Sequence, residues 1–106
     1  MTYREYVELE FNYKCITTFW EDFSIADRFG ISAIRDTFRR AFRSWRKHYK
    51  YLTELVLVLN HKCCYYYGRG RRDIAQVYSQ LFDEAREYAL DHLEGEEFKY
   101  FYNITD

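Results

Sequence analysis

Apolar residues recur at three- and four-residue steps through Ile34, Phe38, Ala41, Phe42, Trp45, Tyr49 and Leu52. That spacing predicts a helix over 34–52 with one face turned toward a core. Arg35, Arg39, Arg40, Arg43, Arg46, Lys47 and Lys50 fill the other face, where Asp36 is the only acid. A bend is expected within 48–53, because Thr53-Glu54 can start a fresh helix.

The same periodicity extends in both directions. Tyr3, Tyr6, Val7 and Phe11 predict a short helix over 2–11, and 12–17 reads as a connection. Thr18 and Glu21 have the spacing of a capping box. Phe19, Phe23, Ala26 and Phe29 continue a second apolar stripe, Gly30 suits its end, and Ser32 is a natural cap for the next helix. Leu55 to Leu59 is apolar all round. Its flanks lack turn residues, which favours a central buried helix over a strand. Cys63 to Tyr67 continues that helix, Gly68 ends it, and Gly68–Arg72 forms a loop. Asp73 can cap a helix carrying Ile74, Val77, Tyr78, Leu81, Phe82, Ala85, Tyr88 and Leu93 or nearby His92. Gly95 is expected to stop it, and 96–102 to form a last short helix with Phe98, Phe101 and Tyr102 packing back. The fold expected is all-α, a compact single-domain bundle of four to six helices over 1–106.

Composition changes this picture little. Twelve Tyr and nine Phe in 106 residues give an aromatic-rich core and rule out disorder. The absence of proline and the four glycines agree with helices on short links. No apolar run approaches the roughly 20 residues of a membrane span, and no signal peptide is recognisable, so a soluble, cytoplasmic protein is expected. Cys15, Cys63 and Cys64 are odd in number and read as buried thiols rather than a disulfide framework.

Charge matters more. From Arg28 to Arg72 twelve Lys/Arg stand against Asp36 and Glu54, a local charge of +10, whereas the rest of the chain carries −11. Acidic flanks folding onto the basic centre would account for this internally. A bipolar surface that steers a charged partner is the functional reading.

Five motifs bear on chemistry. Ala26, Phe29, Gly30, Ile31 and Ser32 resemble the first helix and turn of a helix-turn-helix, with the arginine-rich segment as reading helix. The register departs from that motif, because Asp36 and Arg39 occupy its core positions. The basic face with Arg69, Arg71 and Arg72 supplies the several cations that phosphate binding needs. His61, Cys63 and Cys64 cluster without paired metal-ligand spacing, and no metal or cofactor is implied. GRGRR lacks the Lys-Ser/Thr of a phosphate loop and no nucleophile elbow occurs, so no enzyme is expected. Tyr65, Tyr66 and Tyr67 cannot all face inward on a helix, which leaves at least one exposed or at a contact surface, for a protein interface or for stacking on bases.

The stretches TTFWEDFSIADRFGISAIRDTFRRAF and YKYLTELVLVLNHK, within residues 17–62, resemble a group of short uncharacterised proteins of conjugative elements and phages of Gram-positive bacteria. Such elements encode small accessory factors, including inhibitors of host CRISPR systems. The resemblance implies a neighbourhood of function, and the function expected is non-enzymatic binding of a macromolecular partner, a nucleic-acid-handling host complex that it occupies or inhibits. The contact surface expected is Arg35, Arg39, Arg40, Arg43, Arg46, Lys47, Lys50, Arg69, Arg71 and Arg72. An acidic alternative is Glu84, Glu87, Asp91, Glu94, Glu96 and Glu97, whose carboxylates would mimic phosphates. The second functional reading is direct DNA or RNA binding through the basic helix 34–52 and the Gly68–Arg72 loop. Neither a membrane nor a small-molecule substrate is indicated.

Overall fold

The computed structural model of the chain describes residues 19–105, and these form five helices and no strand. In chain order they are α1 (19–29), α2 (Ile31–Trp45), α3 (Tyr49–Gly68), α4 (Arg72–His92) and α5 (Gly95–Thr105). The expected all-α bundle is what forms. The predicted helix over 2–11, the connection 12–17 and the Thr18 half of the capping box lie outside the described residues.

The middle helix is the apolar one. Leu52, Leu55, Val56 and Leu59 of α3 are fully enclosed, and α2, α4 and α5 all pack against it. A run apolar on every side can be satisfied only where every side has a neighbour. Helices α3 and α4 form an antiparallel hairpin over a three-residue link, with Tyr67 beside Arg72 and Cys63 beside Ser79. Ala75, Ala85 and Ala89 on α4 are buried, small enough to let α3 approach. Aromatic rings fill the remaining core. Phe23 meets Tyr78 edge-on at 5.7 Å, and Phe42 meets Tyr88 edge-on at 5.2 Å. These are the tilted geometries that the ring quadrupole prefers.

Several expectations are corrected. The bend expected within 48–53 is a full break that begins earlier, so the segment 34–52 is two helices: α2 stops at Trp45, residues 46–48 turn, and α3 starts at Tyr49. The stripe continues across the break because Leu52 is buried in either arrangement, so periodicity alone could not locate the turn. The N-cap of α2 is Gly30 rather than Ser32, and that of α4 is Arg71 rather than Asp73; neither makes a side-chain capping bond. Gly95 begins α5, while α4 already ends at His92. Phe29 does not join the core: it is 78% exposed. Tyr102 is also exposed, so Phe101 and half-buried Phe98 anchor α5 without it.

One residue, Gly30, links α1 to α2. Its amide donates to the Ala26 carbonyl at 3.2 Å, and its φ of 105° with ψ of −173° lies in a region essentially confined to glycine. No neighbouring atom lies within 4 Å of where a Cβ would stand. Gly30→Ala is therefore expected to cost backbone strain alone, about 1–3 kcal/mol of stability, read from the midpoint of urea unfolding. An unchanged midpoint would mean that the junction relaxes freely.

Candidate interaction surface

At about 100° per residue, Arg35, Arg39 and Arg43 of α2 and its C-cap Arg46 fall within a quarter-turn arc, opposite buried Ile34 and Thr37. Arg40 stands further round the helix, where it lines a groove of about 460 Å³ between α1 and α2. Arg39, Arg40 and Arg43 are exposed, and Arg35 is half-buried. Of the α2 ridge, only Arg39 has an ion pair among the described residues. It lies 3.6 Å from Asp36 one turn away, with both side chains in water. Such a pair is worth at most about 1 kcal/mol.

The ridge lies along α4. The Arg35 Nη2 donates to Gln80 Oε1 at 3.2 Å, and the Arg46 guanidinium lies 5.9 Å from the ring centres of both Phe42 and Tyr88. Gln80 and Tyr88 are two turns apart, and exposed Glu84 lies midway between them. Glu87 and Asp91 continue that acidic row along α4. A cationic ridge on α2 thus runs beside an anionic ridge on α4, with no ion pair joining the two among the described residues.

The other expected site residues are spread more widely. The break at 46–48 puts Lys47 in the turn and Lys50 on α3, so they do not extend the α2 face as a single helix would. Lys50 instead lies near the rings of Tyr49 and Tyr100, at 6.0 and 5.9 Å. Arg69, Arg71 and Arg72 cluster at the α3–α4 link, where Gly70 has φ +77° and Arg71 lies 3.6 Å from Asp73. Glu94 falls between α4 and α5. Glu96 and Glu97 occupy the first turn of α5, where carboxylates suit the helix dipole. Glu96 also pairs with Lys99 at 3.5 Å.

The helix-turn-helix likeness loses its geometry here. The motif joins its helices by a turn of three or four residues, whereas α1 and α2 share a one-residue junction. Among the described residues no group of three His, Cys, Asp or Glu side chains is placed to hold a metal ion. Burial first, then the neighbouring Cys64, pushes the Cys63 thiol up.

A polar cluster that sequence reasoning missed joins α1, α3 and α4. The Lys62 Nζ donates to Asp27 Oδ2 at 2.9 Å and to Ser24 Oγ at 2.8 Å, and it lies 4.3 Å from the Trp20 ring centre. The Tyr66 hydroxyl donates to Asp27 Oδ2 at 2.6 Å, and the Tyr78 hydroxyl donates to Oδ1. The side chains of Lys62 and Asp27 are 4% and 8% exposed. Burial, then the bond to Asp27, pushes both phenols up, which keeps them neutral donors. The one hint in the sequence was a lysine just past the apolar LVLVL run of α3.

No protein-family model, curated protein or solved structure matches this chain. None of its described helices is long and apolar enough to cross a membrane.

Proposed function

We propose that this is a non-enzymatic binding protein that docks through the α2 ridge onto a protein of a nucleic-acid-handling complex, in the manner of the anti-CRISPR accessory factors of mobile elements. The observation that carries the reading is the pairing of ridges. Arg35, Arg39, Arg43 and Arg46 lie beside Glu84, Glu87 and Asp91, and their charges are not spent on each other. A phosphate backbone laid along α2 would run beside the carboxylates of α4 and be repelled. A protein surface carrying its own acidic and basic rows matches both at once and gains orientation from the match.

Direct nucleic-acid binding is the second reading, favoured by Arg69, Arg71 and Arg72 at the uncapped start of α4. Titration with duplex DNA at about 50 mM salt separates the two. The docking reading predicts no saturable binding. Saturable binding whose log affinity falls linearly with log salt, by several units of slope, would replace it with the second.

A further inference from the structure

A second surface lies on the other side of α1, away from the α2 ridge. Trp20, Tyr65 and Tyr66 wall a recess of about 400 Å³ between α1 and α3, with Lys62 and Asp27 at its base and Arg28 at its rim. That volume falls in the range of small-ligand sites. The base is electrically quiet, because the Lys62 ammonium and the Asp27 carboxylate neutralise each other at 2.9 Å. The rim is not. Arg28 is exposed with no ion pair among the described residues, and the Arg69 guanidinium lies 4.4 Å from the Tyr65 ring centre.

Two aromatic rings here have the same construction. Lys62 covers one face of Trp20, yet the residue stays 39% exposed. Arg69 covers Tyr65, which stays 45% exposed. Each ring is braced by a cation and open to solvent, and both border one recess. Flat π-faces beside cations are what a base and its phosphate require together, and stacking tolerates any base because every base has a π-face. An acidic peptide would use the cations but not the rings. A duplex hides its base faces, so the match is to a single strand.

We propose that this recess is a stacking site for single-stranded nucleic acid, with Trp20 and Tyr65 as the stacking rings and Arg28 and Arg69 meeting the phosphates. It is independent of the α2 ridge and goes beyond the docking reading. A protein seated on a nucleic-acid-handling complex would meet an exposed strand through it.

The chain has two tryptophans. Trp45 stacks on Tyr51 at 4.2 Å, so Trp45→Phe leaves Trp20 as the sole reporter with an aromatic ring still in that place. The probe is an oligothymidylate of about ten nucleotides, within the site sizes of stacking grooves, in about 50 mM salt. Trp20 emission should fall saturably. Tyr65→Ala should weaken binding about 10-fold, and Arg69→Ala should lower the log–log salt slope by about 1. Arg39→Glu with Arg43→Glu should leave the quench unchanged, so failure of the docking reading and failure of this site are told apart. Absent quenching, quenching indifferent to Tyr65→Ala, or equal quenching by polyglutamate would each overturn the proposal. Tyr65 is exposed and outside the core, so its variant should keep the wild-type circular dichroism spectrum.

Discussion

Asp27→Ala is expected to lower the unfolding free energy by about 3–5 kcal/mol. The carboxylate accepts bonds from Lys62, Tyr66 and Tyr78 at once. Its removal leaves an ammonium that is 4% exposed without its counter-charge, and two phenols without an acceptor. Desolvated donors deprived of their partners cost far more than the net gain of any one of their bonds. The effect should register as a large fall in the urea midpoint with little change in slope. Asp27→Leu combined with Lys62→Met removes both charges together and should cost less than Asp27→Ala alone, because replacing a whole buried pair is often near neutral. Equal or greater loss in the double variant would mean that packing, not uncompensated charge, sets the cost.

Glu54 gives the other large effect, and it depends on pH. Its side chain lies inside α3's packed surroundings, the residue is 4% exposed, and Oε2 has no hydrogen-bond partner among the described residues. Burial pushes its carboxyl up from 4.5 to about 7. The folded chain therefore holds a proton that the unfolded chain releases between those values. Stability is fully present below pH 4.5 as far as this group is concerned. It declines as pH rises to 7, by on the order of 3 kcal/mol in all. Glu54→Gln should flatten this decline, matching wild type near pH 4 and exceeding it near pH 8. Parallel curves of urea midpoint against pH for the two proteins would show that Glu54 is not the titrating group.

Both residues show what a linear sequence conveys and what it withholds. The apolar stripes of α2 and α4 were legible because a helix facing one neighbour must repeat at its own pitch. The LVLVL run was legible as a central helix because no other place satisfies every side of it. The end of α2 was not legible, since Trp45, Tyr49 and Leu52 keep their spacing through a three-residue turn. Nor were the caps. Ser32 and Asp73 have the right chemistry for N-caps, but Gly30 and Arg71 hold those positions, set by how tightly the helices join. Phe29 reads as core by spacing alone, yet α1 turns it outward at its last turn.

The candidate surfaces divide in the same way. The arginine ridge could be read from α2 almost by itself, because Arg35, Arg39 and Arg43 share one helix and Arg46 caps its end. Its position beside Glu84, Glu87 and Asp91 could not, because it depends on α2 packing alongside α4. The Asp27–Lys62 pair spans 35 positions and the Asp27–Tyr78 bond spans 51. No local pattern connects residues so far apart. Lys62 close to the apolar run of α3 invites a partner, without naming it. Trp20 and Tyr65 likewise border one recess only because α1 and α3 are brought together.

The ridge also explains why charge reversal should be tolerated by the fold. Arg39 and Arg43 are exposed, and their replacement by glutamate removes repulsion within the arginine row, breaks the solvent-exposed Arg39–Asp36 pair and adds some repulsion against Asp36, Glu84 and Glu87. Surface changes of this kind usually alter stability by no more than about 0.5 kcal/mol. The variant is therefore a clean probe of binding. Quantitative affinity capture from a Gram-positive bacterial extract, comparing wild type with Arg39→Glu/Arg43→Glu at matched circular dichroism, tests docking through α2 most directly. The account predicts that a nucleic-acid-handling protein retained by wild type is depleted at least 10-fold on the variant. Retention of every partner by the folded variant would contradict it.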